Sequence, residues 1–286
     1  MKYAEGAVSI PCEGERLLGI IAQPETPAVT GVIIIVGGPQ YRAGSHRQFV
    51  LLSRALAAAG HAVLRFDYRG MGDSTGAQRP FSDVSADVSA AVDGLQKWVP
   101  SVLSVVLWGL CDGASAALIY CHQTQDSRVV GLCLLNPWVR SESSLARTQV
   151  KHYYAQRLMQ REFWAKLASG KVAASAVVGL LKNIRSMHQS AGHPASADLP
   201  FQQQMALAWG TFQGSIFLVL SSEDYTAKEF LDYLRADAAW SNALAHRGLS
   251  RKDVAGADHT FSELEHRVGV EKLTANWLEN LNRGQQ

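Results

Sequence analysis

Four largely apolar runs, Val32–Val36, Ala62–Phe66, Val102–Trp108 and Val129–Leu135, recur along the first half of the chain. A run that stays apolar at successive positions marks a strand covered on both faces. The stretches between them change period. Phe49, Leu52 and Leu56 fall on one helical face, as do Val84, Val88, Val92 and Leu95 in the helix expected around Asp83–Trp98. Ser45 and Gln48 match an S-x-x-Q capping box ahead of the first of these helices, and Gly60 ends it. Buried strands alternating with amphipathic helices build a doubly wound, mostly parallel sheet.

Two earlier runs, Ala7–Pro11 and Leu17–Ala22, alternate apolar and polar positions and predict an antiparallel pair at the start of the sheet. Ile216–Leu220 resumes the buried pattern, Ser250–Val254 closes it, and Val268–Leu281 is a final helix. The expectation is an α/β chain with an eight-stranded sheet, its core formed by residues 1–139 and 214–286. From Arg140 to Gln213 the strand pattern stops, while helical stretches and aromatic residues persist. A structureless loop of that length is implausible inside a compact domain. Residues 140–213 are therefore expected to form a helical cap, with Trp138, Tyr153 and Trp164 as candidate substrate contacts.

Composition narrows the function classes. The 286 residues are 47% hydrophobic and 18% charged, with a formal net charge of +2. No basic run with interleaved aromatics points to nucleic acid. No segment reaches the roughly 18–20 apolar residues of a membrane helix, and the start has no signal-peptide core. A cytoplasmic location is expected. The four cysteines form no CxxC pair, and no Cys/His cluster has zinc spacing, so neither metal nor cofactor is expected.

One cysteine differs from the others in its neighbours. The strand at Val102–Trp108 runs into Gly109-Leu110-Cys111-Asp112-Gly113-Ala114, a G-x-C-x-G nucleophile elbow with cysteine in the serine slot. Such a nucleophile sits on a sharp strand-to-helix turn. Side chains two residues before and after it would collide with the adjoining backbone, so glycine is required at both. The helix that follows aims its free N–H groups toward the sulfur, which favours negative charge there.

Chain order in such sites is nucleophile, acid, histidine. After Ile216–Leu220 come Glu223 and Asp224; Asp224 is the preferred acid and Glu223 its rival. Of nine histidines, His259 alone follows the last strand directly, in Gly256-Ala257-Asp258-His259-Thr260-Phe261. His246 and His266 stand in poorer context. The carboxylate would fix the imidazole tautomer. An oxyanion hole would draw one backbone N–H from Asp112 and another from Gly38 or Gln40, since Pro39 has none to give.

Asp67-Tyr68-Arg69-Gly70-Met71-Gly72-Asp73-Ser74 resembles the D-x-R-G-x-G-x-S turn of α/β-hydrolases, a marker of the fold in which Asp67 and Arg69 would pin the turn. With the elbow and Gly-Ala-Asp-His, it implies an α/β-hydrolase fold. The runs Val36–Arg42 with Gly44–Arg47, Leu64–Ser74 and Trp108–Asp112 also resemble the first hydrolase family associated with the exosortase A system. That resemblance implies a bacterial cytoplasmic hydrolase-like protein, found near exopolysaccharide loci, without a cofactor. A Cys-Asp-His set on this fold is similar in chemistry to dienelactone hydrolases and polyhydroxyalkanoate synthases. The cap expected here departs from the compact dienelactone hydrolases, so lactone hydrolysis does not carry over.

The expected activity is acyl hydrolysis, as an esterase or thioesterase, through a cysteinyl thioester. The partner would be a small acyl ester or thioester, free or carrier-bound. An acyltransferase using an alcohol or amine acceptor is the alternative, and a non-catalytic binding protein on the same fold the second one. The sequence indicates no oligomeric state.

Overall fold

A computed structural model describes residues 2–38, 40–140 and 199–284. Eight strands form one sheet: β1 (Tyr3–Cys12), β2 (Glu15–Pro24), β3 (Thr30–Ile35), β4 (Ala62–Phe66), β5 (Ser104–Leu110), β6 (Val129–Leu135), β7 (Ser215–Ser221) and β8 (Leu249–Val254). Their order is β1-β2-β4-β3-β5-β6-β7-β8. β1 pairs antiparallel with β2, and β2 with β4; every later pairing is parallel. This is the eight-stranded α/β-hydrolase sheet expected from the sequence.

The described helices of eight residues or more are α1 (Gln48–Ala58), α2 (Ser85–Trp98), α3 (Asp112–Thr124), α4 (Phe201–Thr211), α5 (Tyr225–Ala236) and α6 (Leu264–Gly284). They split between the two faces of the sheet, and each strand divides its side chains accordingly, because successive residues point to opposite faces. Val106, Trp108 and Leu110 of β5 pack with Phe49 and Leu56 of α1 and Leu278 of α6. Val105 and Leu107, from the same strand, pack with Val88 of α2 and Leu118 of α3. Central residues such as Ile33, Ile34 and Leu107 are fully buried. Burying each such side chain contributes about 1.5–3 kcal/mol. β8 closes one edge and carries Arg251, Lys252 and Asp253, charges that discourage further strand pairing.

Two local expectations change. The Ser45/Gln48 capping box does not form. Ser45–Arg47 makes a single 3-10 turn, His46 and Arg47 hold φ of 52° and 59°, and α1 begins only at Gln48. The Ser45 N–H is taken instead by the Gln40 side-chain oxygen at 3.0 Å. Helix α4, read from sequence as the end of the cap, packs in the core. Met205 and Trp209 are buried, Trp209 meets the rings of Phe230 and Trp240, and Gln204 bonds Gln123 of α3 at 3.0 Å. The chain divides into two units, Met1–Val139 with Pro200–Gln286, and Arg140–Leu199. Tyr153, Trp164 and the rest of 141–198, where the cap is expected, lie outside the described residues.

The turn after β4 is tied as its motif requires. Asp67, buried, accepts from the Arg42 backbone N–H at 2.6 Å, from the Arg42 guanidinium and from the Asp73 N–H at 3.1 Å. Arg69 holds Asp87 of α2 through its Nε and Nη2. Among the described residues, no helix is long and apolar enough to cross a membrane, and no group of His, Cys, Asp and Glu could hold a metal ion.

Candidate active site

The end of β5 turns into α3 through Cys111, whose φ of 60° and ψ of −127° lie where a non-glycine residue is strained. Its N–H donates to the Leu135 carbonyl at 2.9 Å, anchoring the elbow to β6. The flanking glycines have separate reasons. A Cβ on Gly109 would overlap the backbone of Gly113 and Ala114, and a Cβ on Gly113 would overlap the Ile35 carbonyl of β3. The turn can be this tight only without those two side chains.

Asp224 follows β7 and caps α5. Its Oδ1 accepts the Thr226 N–H at 3.0 Å and its Oδ2 the Ala227 N–H at 3.2 Å. Oδ2 also faces His259 Nδ1 at 2.8 Å. Glu223, one residue earlier, is exposed and accepts the Ser222 hydroxyl at 3.3 Å. His259 sits on the loop after β8, which is stitched to the β7 turn by Glu223 N–H to Ala257 O at 3.1 Å and Gly256 N–H to Ser222 Oγ at 2.8 Å.

Cys111 and His259 line the same cavity, near enough for the sulfur to act on the imidazole. Asp224 and then Cys111 push the His259 pKa up to about 10, against the opposing effect of burial. The three residues named from sequence as nucleophile, acid and base therefore meet at the carboxyl ends of three different strands. His246 lies at the far end of β8, bonded to the Phe212 carbonyl at 2.9 Å, and His266 lies on α6 beside Glu263. The remaining thiols are poor nucleophiles by environment: burial pushes Cys121 up to about 12 and raises Cys12 and Cys133 as well.

Cys111 and His259 open on a cavity of about 340 Å³, lined also by Gly38, Gln40, Phe49, Asp112 and Trp138. Trp138 is thus a described member of the predicted substrate contacts. Its backbone is held by Ser115, whose Oγ donates to the Trp138 carbonyl at 2.6 Å. A larger cavity, about 1230 Å³, opens at the amino ends of β6–β8 beside Trp240 and His246 and holds none of these groups.

Of the residues expected to form an oxyanion hole, Gly38, at φ 63°, aims its N–H into the site, where the Asp112 Oδ1 accepts it at 2.5 Å. Gln40 lines the cavity, and its side chain is used on Ser45. The Asp112 carboxyl itself was not anticipated from sequence. Burial raises its pKa, opposed by the N–H groups of Gly38, Asp112 and Gly113 and by His259.

Asn136 was also missed. Fully buried at the end of β6, with φ 44°, it accepts the Ser221 N–H at 2.9 Å and donates to Ser221 Oγ at 2.8 Å and the His259 carbonyl at 3.1 Å. One amide thereby links the strand that leads to Asp224 with the loop that carries His259. A lone asparagine after a buried strand offers no sequence signal beyond its tolerance of positive φ.

Solved structures with the same fold include the esterase Pf2001 of Pyrococcus furiosus, at a TM-score of 0.65 and 15% identity over 98% of this chain and 93% of that one. Est1E of Butyrivibrio proteoclasticus, with ferulic acid bound, gives 0.62 and 14% over 97% and 100%. The proline iminopeptidase of Mycobacterium smegmatis gives 0.60 and 14% over 98% and 100%. No curated protein matches the sequence. A family model described as serine aminopeptidase, S33, matches residues 27–196, a stretch that contains the elbow and ends before Asp224 and His259. With more than half of its length matched, on an α/β-hydrolase sheet, the chain belongs to that family.

Proposed function

We propose that the protein is an acyl hydrolase, an esterase or thioesterase, that works through a thioester on Cys111. The observation that carries this reading is that Cys111 and His259 line one cavity while His259 Nδ1 bonds Asp224 Oδ2 at 2.8 Å. His259 holds the proton taken from the sulfur, and Cys111 Sγ attacks the carbonyl carbon of an ester or thioester. The carbonyl π electrons move onto oxygen. The N–H of Asp112, with that of Gly38 or Gln40, then stabilises the oxyanion by about 3–4 kcal/mol per donor. The intermediate collapses, the bond to the leaving oxygen or sulfur breaks, and His259 protonates the departing group. Water then attacks the acyl-cysteine while His259 takes its proton, which releases the acid and restores the thiol.

The name of one structural relative, an esterase, supports an ester substrate. The family description and another relative point to peptide bonds instead. Cysteine bears on that choice: a thiol exchanges readily with thioesters and active esters, whereas an amide needs a strongly protonated leaving group. Transfer of the acyl group to an alcohol or amine is the second reading, favoured by the reactivity of an acyl-cysteine toward such nucleophiles. The exosortase-associated hydrolases that the chain resembles are found near exopolysaccharide loci, and that resemblance names no substrate.

Intact-protein mass after incubation with acyl thioesters and p-nitrophenyl esters tests the proposal. A retained acyl mass on Cys111 that decays in water is the expected result, and faster decay with added alcohol or amine identifies a transferase. Turnover with no adduct in wild type and full activity in Cys111→Ala would overturn it.

A further inference from the structure

A carboxyl of this chain already occupies an N–H group expected to hold an acyl oxyanion. Asp112 Oδ1 accepts the Gly38 N–H at 2.5 Å, and the N–H groups of Asp112 and Gly113 at the start of α3 bear on the same carboxyl. These donors come from two segments, the loop after β3 and the elbow, and they include the Asp112 N–H and one of the two candidates for the second oxyanion donor. The loop and the elbow approach closely here: a Cβ on Gly37 would overlap both Asp112 Oδ1 and the Leu110 carbonyl oxygen. The group lies in the wall of the cavity that contains Cys111 and His259. Burial works against its charge, while backbone N–H groups and the His259 ring work for it.

Resting on the acyl-enzyme reading, we propose that Asp112 is an internal competitor for the oxyanion cradle. Its carboxylate has to leave Gly38 and the amino end of α3 before Cys111 can form a tetrahedral adduct. Rotation about its own side-chain bonds takes it into the adjoining cavity without any movement of the sheet. A site closed in this way is slow toward small esters that bring little binding energy. It is faster toward substrates whose remaining parts offset the displacement, because only the fraction of molecules with the cradle vacated can react.

The test compares two reactions of the same sulfur in wild type, Asp112→Ala and Asp112→Asn. Single-turnover acylation by p-nitrophenyl acetate, read as the p-nitrophenolate burst, builds an oxyanion. Alkylation of Cys111 by iodoacetamide, read by peptide mass, builds none, and so corrects for any change in the thiol itself. The ratio of acylation to alkylation rates should rise about tenfold or more in Asp112→Ala. Asp112→Asn should fall between, since its amide oxygen can still accept from Gly38. Sodium acetate should slow acylation of Asp112→Ala by entering the vacated cradle and leave wild type unaffected. If Asp112→Ala does not fold, the shape-conserving Asp112→Asn supplies the test through its smaller rise in the same ratio. A ratio unchanged or lowered overturns the competitor role alone. Absence of acylation in every variant, with Cys111 alkylated, overturns the acyl-enzyme reading and this proposal with it.

Discussion

His259 Nδ1 stands 2.8 Å from Asp224 Oδ2, while the neighbouring Glu223 carboxylate faces solvent and the Ser222 hydroxyl. The adjacent carboxylates are thus sorted by the β7 turn. Asp224→Asn should fold, because asparagine caps a helix as well as aspartate. Its turnover should fall on the order of 10²-fold, short of the ~10⁴ for a serine triad's carboxylate. Glu223→Gln should stay close to wild type. Steady-state rates on one active ester compare the two, and a larger loss in Glu223→Gln would move the acid by one residue.

Cys111→Ala and His259→Ala should each remove nearly all turnover, and the double variant should lose little more, since groups that act as a unit are not additive. Cys111→Ser should fall by about 10²-fold or more, because an alcohol needs a stronger base coupling than an imidazole arranged for a thiol supplies. Burst and steady-state kinetics on the same ester measure this. Wild-type rates in Cys111→Ser would mean that the site is set up for serine after all.

The raised pKa of His259 predicts a pH dependence of stability. The folded state holds this proton up to about pH 10, whereas the unfolded chain releases it near the ordinary value of 6.5. With Cys111 keeping its own proton, the native state binds more protons between those values through His259, so this contribution to stability falls as pH rises. The contribution is complete below 6.5 and lost above 10. Urea denaturation across that window should show a steeper decline for wild type than for His259→Gln. Parallel curves would mean that the proton is not held in the folded protein.

Asn136→Ala should destabilise the protein by about 2–4 kcal/mol, because it leaves the buried Ser221 N–H and hydroxyl and the His259 carbonyl short of partners. The denaturant midpoint should drop accordingly, with the m-value unchanged. A change under about 0.5 kcal/mol, the scale of an ordinary surface substitution, would show that the amide is dispensable.

The fold was legible because its determinants are local. Strands buried on both faces must be apolar at successive positions, and helices on a sheet must be apolar at helical spacing. Val32–Val36, Ala62–Phe66 and the spacing of Val88, Val92 and Leu95 on α2 state the architecture without reference to anything distant. Gly109 and Gly113 are likewise written into the chain, because the backbone overlap they avoid arises within a single strand-turn-helix unit and its neighbouring strand. What only the tertiary structure decided are pairings between residues far apart in sequence. The meeting of Asp224 rather than Glu223 with His259 depends on how the β7 turn is stitched to the β8 loop. The packing of α4 into the core rests on Trp209 finding Phe230 and Trp240. The seating of Asp112 on the Gly38 N–H, and of Asn136 between Ser221 and His259, needs donors and acceptors from separate loops brought within hydrogen-bond range. A periodic pattern records which face of an element is buried, but no local pattern records which polar atom will stand opposite another once the faces have packed.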